Sequence, residues 1–121
     1  MVKRLPPSIG CFKFNIDGYF KVYPGLSGRV GVLIDSNGQL VFAFACHFGI
    51  ASSLQAEAKT LVFGIRHCHQ LGYNHINVEL DSLILVHIFQ QKCKCPWSIF
   101  SELEEMLWMT SLLFLLFLVY R

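Results

Sequence analysis

The chain has 121 residues, 54% of them hydrophobic and 15% charged, with a formal net charge of +2. That length allows one domain with a single core, and the oily composition excludes intrinsic disorder. So small a charge excludes recognition of a nucleic acid by bulk charge alone, although a weak basic bias is compatible with such a partner.

Residues 1–10, with Pro6-Pro7, read as a flexible lead-in to a domain over 11–121. No apolar stretch follows the basic start at Lys3 and Arg4, so the pattern of a secretory signal is missing there. Together with five cysteines, an odd number, this predicts reduced thiols in a cytoplasmic or nuclear setting.

CFKFNID, 11–17, alternates, with Phe12, Phe14 and Ile16 on one face and Lys13, Asn15 and Asp17 on the other. This predicts a strand that ends at Asp17, before Gly18. YPGLSG, 23–28, reads as a turn. RVGVLID and QLVFAFACHF then flank Ser36-Asn37-Gly38, and Asn-Gly between apolar runs predicts a hairpin.

In SSLQAEAKTLVFGIRHCHQLG, 52–72, the period changes from 2 to 3.6. Ser52 and Gln55 form a capping box, Leu54, Ala58, Leu61, Ile65 and Cys68 an apolar stripe, and Gly72 a helix stop. HINVEL, 75–80, alternates as a strand that delivers Asp81, followed by a helix from about Ser82 to Gln91. Pro96 breaks the chain, and a capping box of Ser101 with Glu104 predicts a third helix from Ser101 to about Thr110. The apolar tail over 106–120 falls short of the about 20 residues a membrane helix needs, and predicts a buried strand or strand-like end. The predicted order, β-β-β-α-β-α-α-β, implies an α/β fold with a mixed sheet and helices packed on it.

Two sequence features suggest metal ligands but are read otherwise. Cys93 and Cys95 form a C-x-C pair with no second pair at zinc-site spacing. His67 and His69 would project about 200° apart on a helix, which reads as a partly exposed helix edge.

The sequence holds eight acids. Asp35 is accounted for by turn chemistry, and Glu102, Glu104 and Glu105 by the dipole at the start of a helix. Asp17 and Asp81 each sit at a strand end, and Glu57 borders the apolar stripe of the first long helix. If the two strands are neighbours, three carboxylates converge at one sheet edge. Like charges held together raise one another's pKa unless a cation neutralises them, and hard divalent ions prefer oxygen ligands. Taken singly, Asp81 reads equally as a helix-start acid, Asp17-Gly18 as a turn, and Glu57 as a first-turn acid.

FNIDG, PGLSGRVGVLIDSNGQLVFAF, SSLQAEAKTLVFGIRHCHQLGYNHINVELDS and CPW resemble, in order, the plant ribonuclease H-like domain of reverse-transcriptase-like proteins and non-LTR retroelement descendants. The resemblance runs from about Cys11 to Arg121. It implies a ribonuclease H-like fold with a mixed five-stranded sheet flanked by helices. It also implies Mg²⁺-dependent (or Mn²⁺-dependent) endonucleolytic hydrolysis of the RNA strand of an RNA–DNA hybrid. By motif, Asp17, Glu57 and Asp81 are then the catalytic metal ligands for two ions, one activating water and the other stabilising the leaving 3′ oxygen. The hybrid would be recognised by backbone shape and 2′-hydroxyl contacts.

The family pattern adds a fourth Asp on a last helix after the fifth strand, whereas no acid follows Glu105 here. The expectation is a member truncated at its C-terminus, lacking the last helix, with hydrolysis weak or lost. His87 does not stand where the family's product-release His belongs. LLFLLFLV is apolar on both faces, a surface for self-association, and no obligate protein partner is predicted. Arg29-Val30 stands where the family has small residues. The competing readings are a non-catalytic nucleic-acid or protein interaction module, and an inert retroelement-derived fragment.

Overall fold

The computed structural model describes residues 11–22, 26–47, 52–110 and 115–120, without the side chains at 17–22, 26, 27, 47, 115–117, 119 and 120. The predicted lead-in, 1–10, lies outside the described residues.

The alternating segments become β1 (Phe12–Val22), β2 (Leu26–Ile34) and β3 (Leu40–His47). β1 pairs antiparallel with β2, and β2 with β3. α1 (Ser53–Gln70) crosses to β4 (His75–Leu80), which pairs parallel with β1. α2 (Leu83–Phe89), a 3-10 turn at Trp97–Ile99 and α3 (Phe100–Thr110) lead to β5 (Leu115–Tyr120), parallel to β4. The five-stranded sheet therefore has the order β3-β2-β1-β4-β5, and it is mixed, as its element order implies.

Local chemistry explains most boundaries. At the hairpin, Asp35 Oδ1 accepts from the Asn37 and Gln39 N–H groups at 2.9 Å each, and Gly38 takes φ 79°, a conformation glycine adopts without a steric cost. The predicted capping box forms. Gln55 N–H donates to Ser52 Oγ and Ser52 N–H to Gln55 Oε1, both at 3.1 Å. Ala58, Leu61, Ile65 and Cys68 of the stripe are fully buried, with Leu54 packed at the margin. Gly72, at φ 80°, follows the helix end. Phe14 is fully buried with its ring in the space that a Cβ on Gly64 or Gly31 would occupy. Gly64 lets the helix close on the Phe14 ring, and Gly31 leaves room in the sheet for the rings of Phe44 and Phe14.

Four expectations change. β1 does not end at Asp17. Asp17 pairs with Val30 and Tyr19 with Arg29, so Gly18 is the extra residue of a bulge and the ladder continues to Val22. Of the turn expected at 23–28, Leu26 to Gly28 belong to β2 instead, and 23–25 lie outside the described residues. α3 is entered through the 3-10 turn, so Ser101 lies inside the helix and donates to the Glu102 carboxylate at 3.0 Å instead of capping with Glu104. α2 ends at Phe89, before the expected Gln91, and Gln91 adopts φ 59°.

On the face opposite the main core, β1 is closed to water while β4 is half-buried. Lys13 and Asn15 are buried, and Lys13 forms an ion pair with Glu79. Glu102 and Glu105 do more than face a dipole, since they tie α3 to α1 through Lys59 at 2.9 Å and Arg66 at 2.7 Å. His67 packs edge-on against Phe42 and His69 against Trp108, on separate flanks of α1. All five cysteines are free thiols. Among the described residues, no helix is long and apolar enough to cross a membrane.

Candidate functional site

The strands carrying Asp17 and Asp81 are neighbours. In the parallel β1–β4 ladder Asn15 stands opposite Glu79. Asp17 and Asp81 each come two residues later, so both backbones reach the same end of the sheet side by side. The Asp17 side chain lies outside the described residues.

Glu57 reaches this place from the second turn of α1. The helix begins at Ser53 and has no acid in its first turn, so the dipole at its start does not explain Glu57. Nor does capping explain Asp81, because Ser82 is the N-cap of α2 and its Oγ accepts from Leu85 N–H at 3.3 Å. The first-turn role of Glu57 is removed, and Asp81 stands beside the start of α2 without capping it.

Glu57 is 3% exposed. Its carboxyl accepts from the backbone N–H of Asp81 and lies against the Asp81 carboxyl, which is itself in an exposed residue. Burial is the main force pushing the Glu57 pKa up, to about 7, and the neighbouring Asp81 carboxyl adds to it. The Arg29 guanidinium and the backbone N–H pull the other way. Among the described residues, the buried Oε1 of Glu57 has no hydrogen-bond partner, a state that costs about 1–3 kcal/mol when nothing compensates it.

Arg29 is the residue that sequence reasoning undervalued. It was noted for bulk, yet it brings a charge. At 9% exposure it is buried, and it donates a hydrogen bond to Ser53 Oγ at the start of α1. Together with Ser53, Glu57, Asp81, Ser82 and the apolar Leu54 and Ile84 it lines a cleft of about 440 Å³. The available signal was periodicity. Arg29 alternates with Gly31 and Leu33, and both of these are buried. An arginine at that parity points into the layer beneath α1.

Among the described residues no group of three or more His, Cys, Asp or Glu side chains forms. The donor chemistry still suits a hard divalent cation. Two carboxylates share one cleft, and one of their oxygens is buried without a partner, which is the oxygen-rich setting that Mg²⁺ or Mn²⁺ takes. Cys93 and Cys95 take no part in this cleft.

Residues 15–117, from β1 into β5, match the family described as reverse transcriptase-like. No curated protein sequence matches the chain. Among solved structures, ribonuclease H1 from the halophilic archaeon Halobacterium salinarum NRC-1 is 16% identical, with a TM-score of 0.78 over 92% of this chain and 85% of that one. The N-terminal ribonuclease H domain of a Mycobacterium tuberculosis protein, solved as a fusion with maltose-binding protein, is 18% identical with a TM-score of 0.79, over 92% and 86% of the two chains. LC11-RNase H1 from compost, crystallised with an RNA/DNA hybrid, is 19% identical with a TM-score of 0.75, over 91% and 84%. These likenesses establish the fold.

Proposed function

Since the chain belongs to the reverse transcriptase-like family, we propose that it is a nucleic-acid-binding domain of ribonuclease H type whose ligand is an RNA–DNA hybrid. One observation carries this reading. Two carboxyls, on Glu57 and Asp81, meet in a cleft at the sheet end that the backbone of Asp17 also reaches. Neither a capping bond for Asp81 nor a first-turn position for Glu57 accounts for their meeting. LC11-RNase H1, of the same fold, was crystallised with a hybrid, which supports the choice of ligand.

Asp17, Glu57 and Asp81 would hold Mg²⁺ or Mn²⁺, which supplies activation of a water and stabilisation of the leaving 3′ oxygen. The chain's own groups divide the remaining work. Asp81, exposed at the cleft, meets the ligand first, while Glu57 forms the floor and keeps a proton up to about neutral pH. The motif set beginning FNIDG supports a retroelement-derived origin, and five free thiols support a reducing compartment, cytoplasm or nucleus.

A gel shift with hybrid, duplex DNA and single strands tests the reading, in EDTA and then in Mg²⁺. The expected result is preference for the hybrid and binding that weakens steeply with salt. Slow Mg²⁺-dependent cleavage, lost in Asp81→Asn, should follow. Absence of binding to any of these at low salt would overturn the proposal.

A further inference from the structure

We propose that Arg29 is the resident cation of the acid cleft. In this role it keeps the carboxyl pair assembled when no metal is present and weakens the hold of the cleft on a divalent ion. This rests on the reading of Asp17, Glu57 and Asp81 as metal ligands.

A guanidinium keeps its charge at any pH a protein tolerates, and it has donors but no acceptor, so it cannot coordinate a metal. Burying it costs several kcal/mol unless carboxylates or other acceptors surround it. Its place beside the start of α1 makes that cost worse. Arg29 donates to Ser53, the first residue of the helix, where the backbone presents its partial positive charge and no first-turn acid offsets it. The acids of the same cleft, Glu57 one turn further along α1 and Asp81 after β4, supply attraction to it. Register fixes the arrangement. Arg29 pairs with Tyr19 just beyond the Gly18 bulge of β1 and shares its parity with the buried Gly31 and Leu33.

A divalent ion entering this cleft meets a charge of its own sign that β2 cannot withdraw without exposing buried stem atoms. The carboxyls are already partly neutralised, so each offers the ion less. The cleft should therefore bind Mg²⁺ or Mn²⁺ weakly while holding its shape in EDTA.

The test is Mn²⁺ binding to the full chain without nucleic acid, read by the paramagnetic resonance signal of the free ion. Arg29→Met keeps the apolar stem and removes the charge, and Arg29→Lys keeps the charge. The Met variant should bind Mn²⁺ about tenfold tighter or more than wild type, and the Lys variant should stay near wild type. Adding Glu57→Gln to the Met variant should return binding to the wild-type level or below, placing the ion at this cleft. Equal or weaker binding by Arg29→Met, with Glu57→Gln weakening both backgrounds, overturns the role of Arg29 and leaves the metal-site reading standing. Absence of Mn²⁺ binding in both proteins at millimolar ion overturns the two together. Should the Met variant not fold, micromolar binding by the wild type alone overturns the proposal, and millimolar binding lost in Glu57→Gln upholds it.

Discussion

Glu57→Gln should make the protein more stable in mild alkali. The folded chain holds the Glu57 proton up to about pH 7, against an ordinary value of 4.5. Between those values the folded state binds more protons than the unfolded state, so stability falls as pH rises and levels off above about 7. At about 1.4 kcal/mol per unit of pKa the total is about 3 kcal/mol, a ceiling that relaxation of the cleft reduces. Glutamine has almost the same shape and does not titrate, so the variant should lose this slope. It should exceed wild type by about 1–3 kcal/mol at about pH 8 and by little or nothing at about pH 5. Urea unfolding followed by far-UV circular dichroism measures this. Tryptophan fluorescence is the poorer probe, because Trp97 is 97% and Trp108 60% exposed in the fold. The difference between the two proteins removes the titration of every group that Glu57 does not touch and leaves Glu57 with its effect on the neighbouring Asp81. Parallel pH profiles for wild type and variant would refute the reasoning, as would a wild-type advantage that grows with pH. Mg²⁺ bound to the folded state should recover part of the wild-type deficit at about pH 8 but none in Glu57→Gln.

Gly64→Ala forces a Cβ into the buried Phe14 ring and should cost about 1–3 kcal/mol, seen as a lower urea midpoint at an unchanged slope. Ser52→Ala removes the acceptor for Gln55 N–H and should cost about 1 kcal/mol in the same titration. Glu105→Ala breaks the two hydrogen bonds from Arg66, yet this partly exposed pair should contribute less than about 1 kcal/mol, falling further in high salt.

What the sequence made legible was local. The capping box at Ser52, the turn at Ser36-Asn37-Gly38 and the limits of His75–Leu80 each depend on residues a few positions apart. Where a distant partner decides, the reading failed. Gly18 should end a strand, but β2 pairs with β1 on both sides of it and carries the strand through the bulge. Lys13 and Asn15 alternate with the apolar face of β1, yet tertiary packing buries them too and Glu79 pairs with Lys13. Ser101 had the spacing of a cap, but the 3-10 turn begun at Trp97 starts the helix earlier.

The site divides in the same way. Glu57 and Asp81 could be picked out because their places on helix and strand are visible in the sequence, and the parallel pairing of β1 with β4 then supplied the juxtaposition. Arg29 could not be paired with them, since its neighbours come from α1 and from the segment after β4, some 24 positions away in the case of Ser53. That one side chain alters the electrostatics of the cleft. A buried carboxyl pair opposes folding once it ionises, and a cation beside it offsets the cost. A divalent ion can leave the cleft, whereas the guanidinium is anchored to β2 and leaves only by mutation or unfolding. Here the cation is covalently part of the fold, so the carboxyls can stay together in a metal-free protein, and the same charge stands in the way of the ion on which hydrolysis would depend.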